Sequence, residues 1–258
     1  MPFAVNGGTQ IYYEVAGSGE PILLFHGLTG SGVRWRDTGY VKGLEHHYQV
    51  ILIDARGHGQ SDKPHQQSAY ARVTQAGDVL AVLDALGITA THFWGHSMGG
   101  SVAMALALRA PGRVRSLVIT GYTPFAAEGA EATEMAHWAS DLTGGIAGFV
   151  TGYEARHGAL PEDVRQRWLE NDGEALAACV ANLIAESDGA LVQALPQISA
   201  PTLLLVGSEE PFVDLARETA ARLPHGQFVA LPGLDHVQTF LRSDLVLPEV
   251  ERFLTASA

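Results

Sequence analysis

Short continuous apolar runs recur along the chain, and the first of them lead directly into glycine-rich turns. Runs of this kind are typical of parallel strands that are buried on both faces of a sheet. The pattern predicts strands in segments 21–27, 48–59, 92–100, 114–120, 201–207 and 226–233.

Helical patterns separate these runs. In segment 71–87, Val79, Val82, Leu83 and Leu86 share one helical face, and a glycine closes the pattern. Strands that alternate with helices indicate a parallel sheet covered on both faces. The amino-terminal segment 10–20 differs, because its alternating pattern and its Gly-Ser-Gly turn predict an arm of an antiparallel hairpin.

Segment 122–197 interrupts this alternation, because it contains no strand pattern. Two of its stretches, "PEDVRQRWLEND" and "GEALAACVANLIAES", predict helices. Its glycine-rich stretch "LTGGIAGFVTG" predicts either a hinge or a connection between helices. We therefore expect a core domain of residues 1–121 and 198–258, with a helical cap of residues 122–197 inserted between two sheet strands.

Composition and charge narrow the class of function. The chain has 258 residues, enough for one large domain, and a formal net charge of −12, which disfavours nucleic acid or an anionic membrane as a partner. It has no signal-peptide pattern, and no apolar run approaches the roughly 18 residues of a membrane span. The single cysteine, Cys179, excludes an internal disulfide and predicts a buried thiol. We expect a cytoplasmic protein that acts on a small molecule.

The stretch "FWGHSMGGSVAMALAL" suggests the chemistry. Gly95-His96-Ser97-Met98-Gly99 has the form G-x-S-x-G between a predicted strand and a predicted helix. A strained turn of this kind exposes the serine hydroxyl above the carboxyl end of a sheet, so Ser97 is a candidate nucleophile. The helix that follows directs free N–H groups at the same point, and the Met98 N–H is a candidate oxyanion donor.

Together with "FHGLTGS", "IDARGHGQSD", "VGSEEP" and "GLDH", this stretch resembles the α/β-hydrolase family along nearly the full length. The resemblance implies an α/β-hydrolase fold with a mostly parallel eight-stranded sheet, helices on both faces and a helical cap. It also implies a triad in the chain order nucleophile, acid and histidine. The histidine of "GLDH" is His236, which takes the place of the family's base. The second oxyanion donor is then the Leu28 N–H.

The acid of the triad is the least defined member. The family usually places an aspartate in a G-x-x-D-P pattern, and here the segment reads Gly207-Ser208-Glu209-Glu210-Pro211. Glu210 matches that position, so glutamate replaces the usual aspartate. Glu209 and Asp214 are the alternatives. The earlier turn "ITGYTP", which supplies the acid in some family members, contains no carboxylate.

Other chemistries lack their motifs. The sequence has no P-loop, no complete G-x-G-x-x-G at "GHGQSD", no H-E-x-x-H and no cysteine pair, so we expect neither a cofactor nor a metal. Dehalogenases and soluble epoxide hydrolases, which resemble this chain, carry aspartate where Ser97 stands.

These observations predict a serine hydrolase that cleaves an ester, a lactone or a thioester with a small to medium apolar acyl group. Carbon–carbon bond hydrolysis and cofactor-free perhydrolysis use the same constellation, and a non-catalytic ligand receptor is an alternative of another class. Five aromatic residues are candidates for binding substrate, although Trp35 could instead fill the core and the others could anchor the cap to the core: Trp35, Trp138, Phe149, Tyr153 and Trp168.

Overall fold

The computed structural model describes residues 2–125, 130–186 and 189–256. Its centre is an eight-stranded sheet with the order β1-β2-β4-β3-β5-β6-β7-β8. Strands β3 to β8 pair in parallel, whereas β2 runs antiparallel to both β1 and β4. The strands are β1 (Phe3–Asn6), β2 (Thr9–Ala16), β3 (Glu20–Phe25), β4 (Tyr48–Ile53), β5 (Thr91–His96), β6 (Val114–Thr120), β7 (Thr202–Gly207) and β8 (Gly226–Leu231).

Twelve α-helices occur in the described part of the chain. They are α1 (Gly32–Asp37), α2 (Tyr40–Leu44), α3 (Arg72–Ala85), α4 (Met98–Arg109), α5 (Ala130–Asp141), α6 (Gly145–His157), α7 (Glu162–Leu169), α8 (Gly173–Ala185), α9 (Ala190–Ala194), α10 (Val213–Arg222), α11 (His236–Leu241) and α12 (Ser243–Ala256). None of the described helices is by itself both long enough and apolar enough to cross a membrane, and only the bent pair of Gly173–Ala185 and Ala190–Gln197 meets the length and composition test together.

Two apolar layers cover the sheet, one on each face. Helices α3, α4 and α10 contribute to the first layer, and α1, α2 and α12 contribute to the second. Every residue of β5 and β7 is buried, as the continuous apolar runs predict for strands covered on both faces. The predicted α/β-hydrolase architecture, with a mostly parallel eight-stranded sheet, is therefore confirmed.

The amino-terminal hairpin corrects one detail of the prediction. Segment 10–20 is antiparallel as expected, but the hairpin closes at Gly7 and Gly8, where β1 turns into β2. Gly17 and Gly19, also at positive φ, instead connect β2 to β3, two strands that both pair with β4. A glycine turn permits the change of direction but does not determine which strand becomes the neighbour.

Between β6 and β7 the described residues form the α-helices α5 to α9 and their connections, and no strand. Leu142, Phe149, Leu176 and Val180 form an apolar cluster of their own there. The glycine-rich stretch is neither a hinge nor a connection along most of its length, since α6 begins at Gly145 and includes Gly148 and Gly152. The cap boundaries at residues 122 and 197 remain a prediction. Cys179, on α8, is a buried free thiol as expected.

Candidate active site

Ser97 occupies the strained turn between β5 and α4. Its φ is 52° and its ψ is −116°, a region of the map that residues with a side chain rarely adopt. The two flanking glycines permit the turn. A Cβ at Gly95 would lie 2.2 Å from the Gly99 carbonyl oxygen, and a Cβ at Gly99 would lie 2.3 Å from the Phe25 carbonyl oxygen. The sharp turn therefore depends on glycine at both positions.

His236 is the first residue of α11. Asp235 caps this helix, because its side chain accepts the Gln238 N–H while the Gln238 side chain accepts the Asp235 N–H. The His236 Nε2 atom lies 3.1 Å from Ser97 Oγ, within hydrogen-bond distance. The helix cap thus fixes the backbone from which the imidazole reaches the serine.

Glu210 lies just beyond the end of β7, and its side chain is fully buried. Its Oε2 atom is 2.8 Å from His236 Nδ1. Its Oε1 atom accepts the Gly207 N–H at 3.0 Å and the Thr239 hydroxyl at 3.2 Å. Both carboxylate oxygens are therefore engaged, and one of them faces the imidazole.

The two alternative acids lie elsewhere. Glu209 is exposed and its carboxylate accepts the Ser208 hydroxyl. The Asp214 side chain is 93% exposed, beside Arg217 on α10. Of the three carboxylates considered from the sequence, the structure brings Glu210 to the imidazole.

The loop after β3 supplies the second candidate oxyanion donor. A Cβ at Gly27 would lie 3.1 Å from Ser97 Cβ, so the loop passes against the serine immediately before Leu28. The Leu28 side chain packs against both a core layer and the cap cluster. Met98 is the first residue of α4, where an N–H has no partner within the helix.

Buried neutral histidines support this loop. His26 donates from Nδ1 to the Gly27 carbonyl and accepts the Ala55 N–H at Nε2. Burial lowers the pKa of His26 to about 4, and burial together with the nearby His26 lowers the pKa of His58 to about 3. His58 donates to the Arg56 carbonyl, and its Nε2 has no hydrogen-bond partner among the described residues. Neither histidine is positioned as the base.

The segment "IDARGHGQSD" is a scaffold beside the site. Asp54 accepts the Gly32 N–H at 2.6 Å and the Gln60 N–H at 2.8 Å, which fixes the start of α1. Arg56 forms a buried ion pair with Asp78, with a bond of 2.7 Å from its Nε atom. These contacts hold the loops on the carboxyl side of the sheet. No group of three or more histidine, cysteine or acidic residues suited to a metal ion occurs in the described part of the chain.

Two of the residues predicted to bind substrate lie in the apolar interior. Trp35 is fully buried on the sheet face covered by α1, with its ring 5.2 Å from the rings of both Tyr40 and Trp94. Phe149 is 1% exposed inside the cap cluster. Large aromatic side chains fill protein interiors as well as pockets. Apolar neighbours in the sequence do not distinguish the two locations. This packing fits the alternative of core filling, and the role of these two residues in binding substrate remains a prediction.

The other three residues belong to the margin of the cap cluster. Trp138 and Trp168 are half-buried against the cluster, and the Tyr153 ring lies 4.8 Å from the Trp168 ring. The Trp138 indole donates to Glu134 at 2.7 Å, a contact within α5. Their role in binding substrate remains a prediction.

Sequence reasoning missed Thr239 and Gly121. Thr239 is fully buried and contacts the Glu210 carboxylate from one helical turn after His236. The available signal in the sequence was a threonine three residues after the predicted base. Gly121 has a φ of 62°, and a Cβ there would lie 3.0 Å from the Cε1 atoms of both His236 and His96. No motif in the sequence singles out this glycine.

Comparison with known proteins identifies relatives of this chain. The family described as alpha/beta hydrolase fold matches residues 20–152. A relative from Azorhizobium caulinodans that carries the name carbamate hydrolase RutD is 43% identical over 122 residues, which is 46% of this chain and 43% of that protein. A non-heme haloperoxidase from Rhodococcus erythropolis is 29% identical over 98% of this chain and 99% of its own length.

A solved structure supports the same relationship. The enol-lactonase from Burkholderia xenovorans LB400 superposes with a TM-score of 0.84 at 26% identity, covering 98% of this chain and 100% of the enol-lactonase chain. These relatives differ in the reactions that their names give. The comparisons therefore indicate a hydrolase-type enzyme without selecting its substrate.

Proposed function

The chain belongs to the alpha/beta hydrolase fold family, and within that family we propose that it is a serine hydrolase acting on carboxylic esters, lactones or thioesters. The observation that carries the proposal is one chain of hydrogen bonds. It runs from the buried Glu210 to His236 Nδ1 at 2.8 Å, and from His236 Nε2 to Ser97 Oγ at 3.1 Å. This order of carboxylate, imidazole and hydroxyl is the arrangement that activates a serine nucleophile.

The proposed reaction follows from these contacts. His236 takes the proton of Ser97 as its oxygen attacks the carbonyl carbon. The resulting oxyanion is stabilised by the N–H groups of Leu28 and Met98. His236 then returns the proton to the leaving alkoxide or thiolate, and the acyl group stays on Ser97. Water, deprotonated by the same imidazole, releases the acid and restores the serine. Glu210 holds the imidazole with Nδ1 protonated and stabilises the imidazolium.

Two experiments test the proposal. The protein is first incubated with a panel of p-nitrophenyl acetate and butyrate, simple lactones and acyl thioesters, and we expect repeated turnover on at least one class. It is then treated with a fluorophosphonate probe. Labelling in the parent and its loss in a folded Ser97→Ala variant would identify the nucleophile. Labelling that persists in Ser97→Ala would contradict Ser97 as the nucleophile. Stoichiometric binding without turnover would contradict a serine hydrolase and favour a ligand receptor.

Perhydrolysis is a second candidate, favoured by the similarity to the haloperoxidase along nearly the whole chain. In that reaction hydrogen peroxide replaces water, attacks the acyl group on Ser97 and leaves as a peracid while the serine is restored. Comparing peracid formation with ester hydrolysis at increasing peroxide concentration separates the two. Peracid as the main product at low millimolar peroxide would make perhydrolysis the better description.

A further inference from the structure

Strand β5 carries two buried histidines that make the same kind of contact with β6. His92 Nδ1 lies 2.8 Å from Ser116 Oγ, and His96 Nδ1 lies 3.1 Å from Thr120 Oγ1. The parallel register pairs His92 with Ser116 and His96 with Thr120. The two histidines are thus matched in strand, burial and hydroxyl partner, although His92 Nε2 also lies 3.5 Å from a carboxylate oxygen of Glu20. Only His96 lies at the end that carries Ser97.

Thr120 anchors the ring of His96. The Trp94 indole N–H can only donate, and it donates to Thr120 Oγ1 at 3.2 Å. The same hydroxyl pairs with His96 Nδ1 at 3.1 Å, and it can serve as donor or acceptor according to the tautomer of the ring. Thr120 thus holds the Nδ1 edge of His96 in either tautomer. Burial lowers the pKa of His96 well below its ordinary value, and the nearby His236 and His26 lower it further, so the ring stays uncharged.

The anchored ring of His96 lies beside His236, Phe240 and the loop that contains Gly27. Its centroid is 5.2 Å from that of His236, with the planes 32° apart, and 4.8 Å from that of Phe240. Its Cδ2 atom lies 3.4 Å from a Cβ built at Gly27, on the loop beside Ser97. The His236 side chain is 38% exposed, so solvent borders one part of the imidazole while His96 covers another.

We propose that His96 is a positioning residue whose anchored, uncharged ring keeps His236 aimed at Ser97. The inference rests on the proposed function, because it assigns the base that His96 supports. The His96 ring, packed against one side of the His236 imidazole, excludes His236 rotamers that would move Nε2 away from Ser97. An uncharged ring matters as well, since a cation at this distance would oppose formation of the His236 imidazolium during the reaction.

The test compares matched substitutions at the two histidines. We expect His96→Ala to lower kcat by about 10²-fold, because a misaligned base can cost that much, while KM stays within about threefold. His96→Phe keeps a ring without the anchor and should lose less, about tenfold. His92→Ala and His92→Phe remove an equally buried histidine from the same strand and should leave kcat within about twofold. Thermal unfolding of all four variants separates positioning from loss of stability.

Thr120→Val provides a second approach if the His96 variants fold poorly. It removes the hydroxyl partner of Nδ1 with little change of shape, so kcat should fall although His96 is present. Ser116→Ala, which removes the hydroxyl beside His92 without adding volume to a buried site, is its control. Fluorophosphonate labelling rates of all variants provide a readout that does not depend on the choice of ester. Failure of the proposed function would appear as labelling in Ser97→Ala. The inference would be wrong if Ser97 were labelled normally in the parent and the substitutions at His96 and His92 changed kcat equally or not at all.

Discussion

The carboxylate of Glu210 reaches Nδ1 of His236 at 2.8 Å from a position where this family usually carries aspartate. The longer side chain is held at its other oxygen by the Gly207 N–H and the Thr239 hydroxyl. Glutamate therefore fits this site because its second oxygen is hydrogen-bonded inside the protein, where an unpaired charge would be costly. The pair also fixes which nitrogen of His236 faces Ser97.

The first prediction concerns this carboxylate. Glu210→Gln should lower kcat/KM by about 10³- to 10⁴-fold, because the neutral amide neither selects the tautomer nor stabilises the imidazolium. Glu210→Asp keeps the charge with a shorter reach and should retain more activity than Glu210→Gln. Glu209→Gln and Asp214→Asn, which alter exposed carboxylates, should stay within about tenfold of the parent. The measurement is kcat/KM on one ester, with circular dichroism as the check of folding. A crippled Glu209 or Asp214 variant would reassign the acid.

The second prediction concerns the hydroxyl that touches this acid. Thr239 contacts Glu210 Oε1 at 3.2 Å and its own helix at the Asp235 carbonyl at 2.7 Å. Thr239→Val should lower kcat about three- to tenfold, since one restraint on the carboxylate is lost. Thr219→Val is the matched control, because Thr219 is equally buried and bonds the Leu215 carbonyl one turn earlier in α10. Equal kcat in the two variants would remove Thr239 from the positioning of the acid.

Much of this arrangement could be predicted from short-range sequence features. Apolar runs followed by glycine define the central strands, and the spacing in "GHSMG" places Ser97 at a strand-to-helix turn. The position of Glu210 before Pro211 follows from a motif. Such features depend on residues that are adjacent in the chain, so one sequence contains enough information to find them.

Features that depend on residues far apart in the chain were harder to predict from the sequence. Whether Trp35 lines a pocket or the core depends on Tyr40, Trp94 and Phe240, which belong to three other elements. The same holds for the pairing of β2 with β4, which the Gly-Ser-Gly turn does not encode. Apolar composition at a position predicts burial, but it does not distinguish a core from a binding site.

The third prediction concerns acid stability. Burial lowers the pKa of His26 to about 4 and that of His58 to about 3, from an ordinary value of 6.5. Below pH 6.5 the unfolded chain therefore binds protons that the folded protein does not, so the free energy of unfolding falls as pH decreases. At pH 5.5 each histidine should contribute a loss of about 1 kcal/mol relative to pH 7.5. Urea unfolding at several pH values measures this slope.

A variant supplies the control for that measurement. His58→Phe removes one of these groups and should give a shallower decrease between pH 7.5 and 5.5, whatever its stability at neutral pH. A decrease should persist in the variant, because burial also lowers the pKa values of His92 and His96. Asp54 and Asp78, whose pKa values burial raises, oppose this trend, so the measurement compares the parent and the variant over the same interval. A free energy of unfolding that does not change over this interval would mean that these histidines accept protons in the folded state.

The fourth prediction concerns Gly121, which follows β6 beneath the two imidazoles. An added Cβ would lie 3.0 Å from the Cε1 atoms of both His236 and His96, so one of the rings has to move.

Gly87 is a matched control, because its φ of 66° is close to the 62° of Gly121 and open space surrounds its missing Cβ. Each alanine substitution should cost about 1 to 2 kcal/mol of stability, since both force a side chain into the left-handed region. Only Gly121→Ala should also lower kcat, by tenfold or more, because its methyl group displaces the base from Ser97. Thermal unfolding and ester kinetics on both variants separate the two effects. Parental kcat in a folded Gly121→Ala variant would show that the imidazole of His236 tolerates displacement from below.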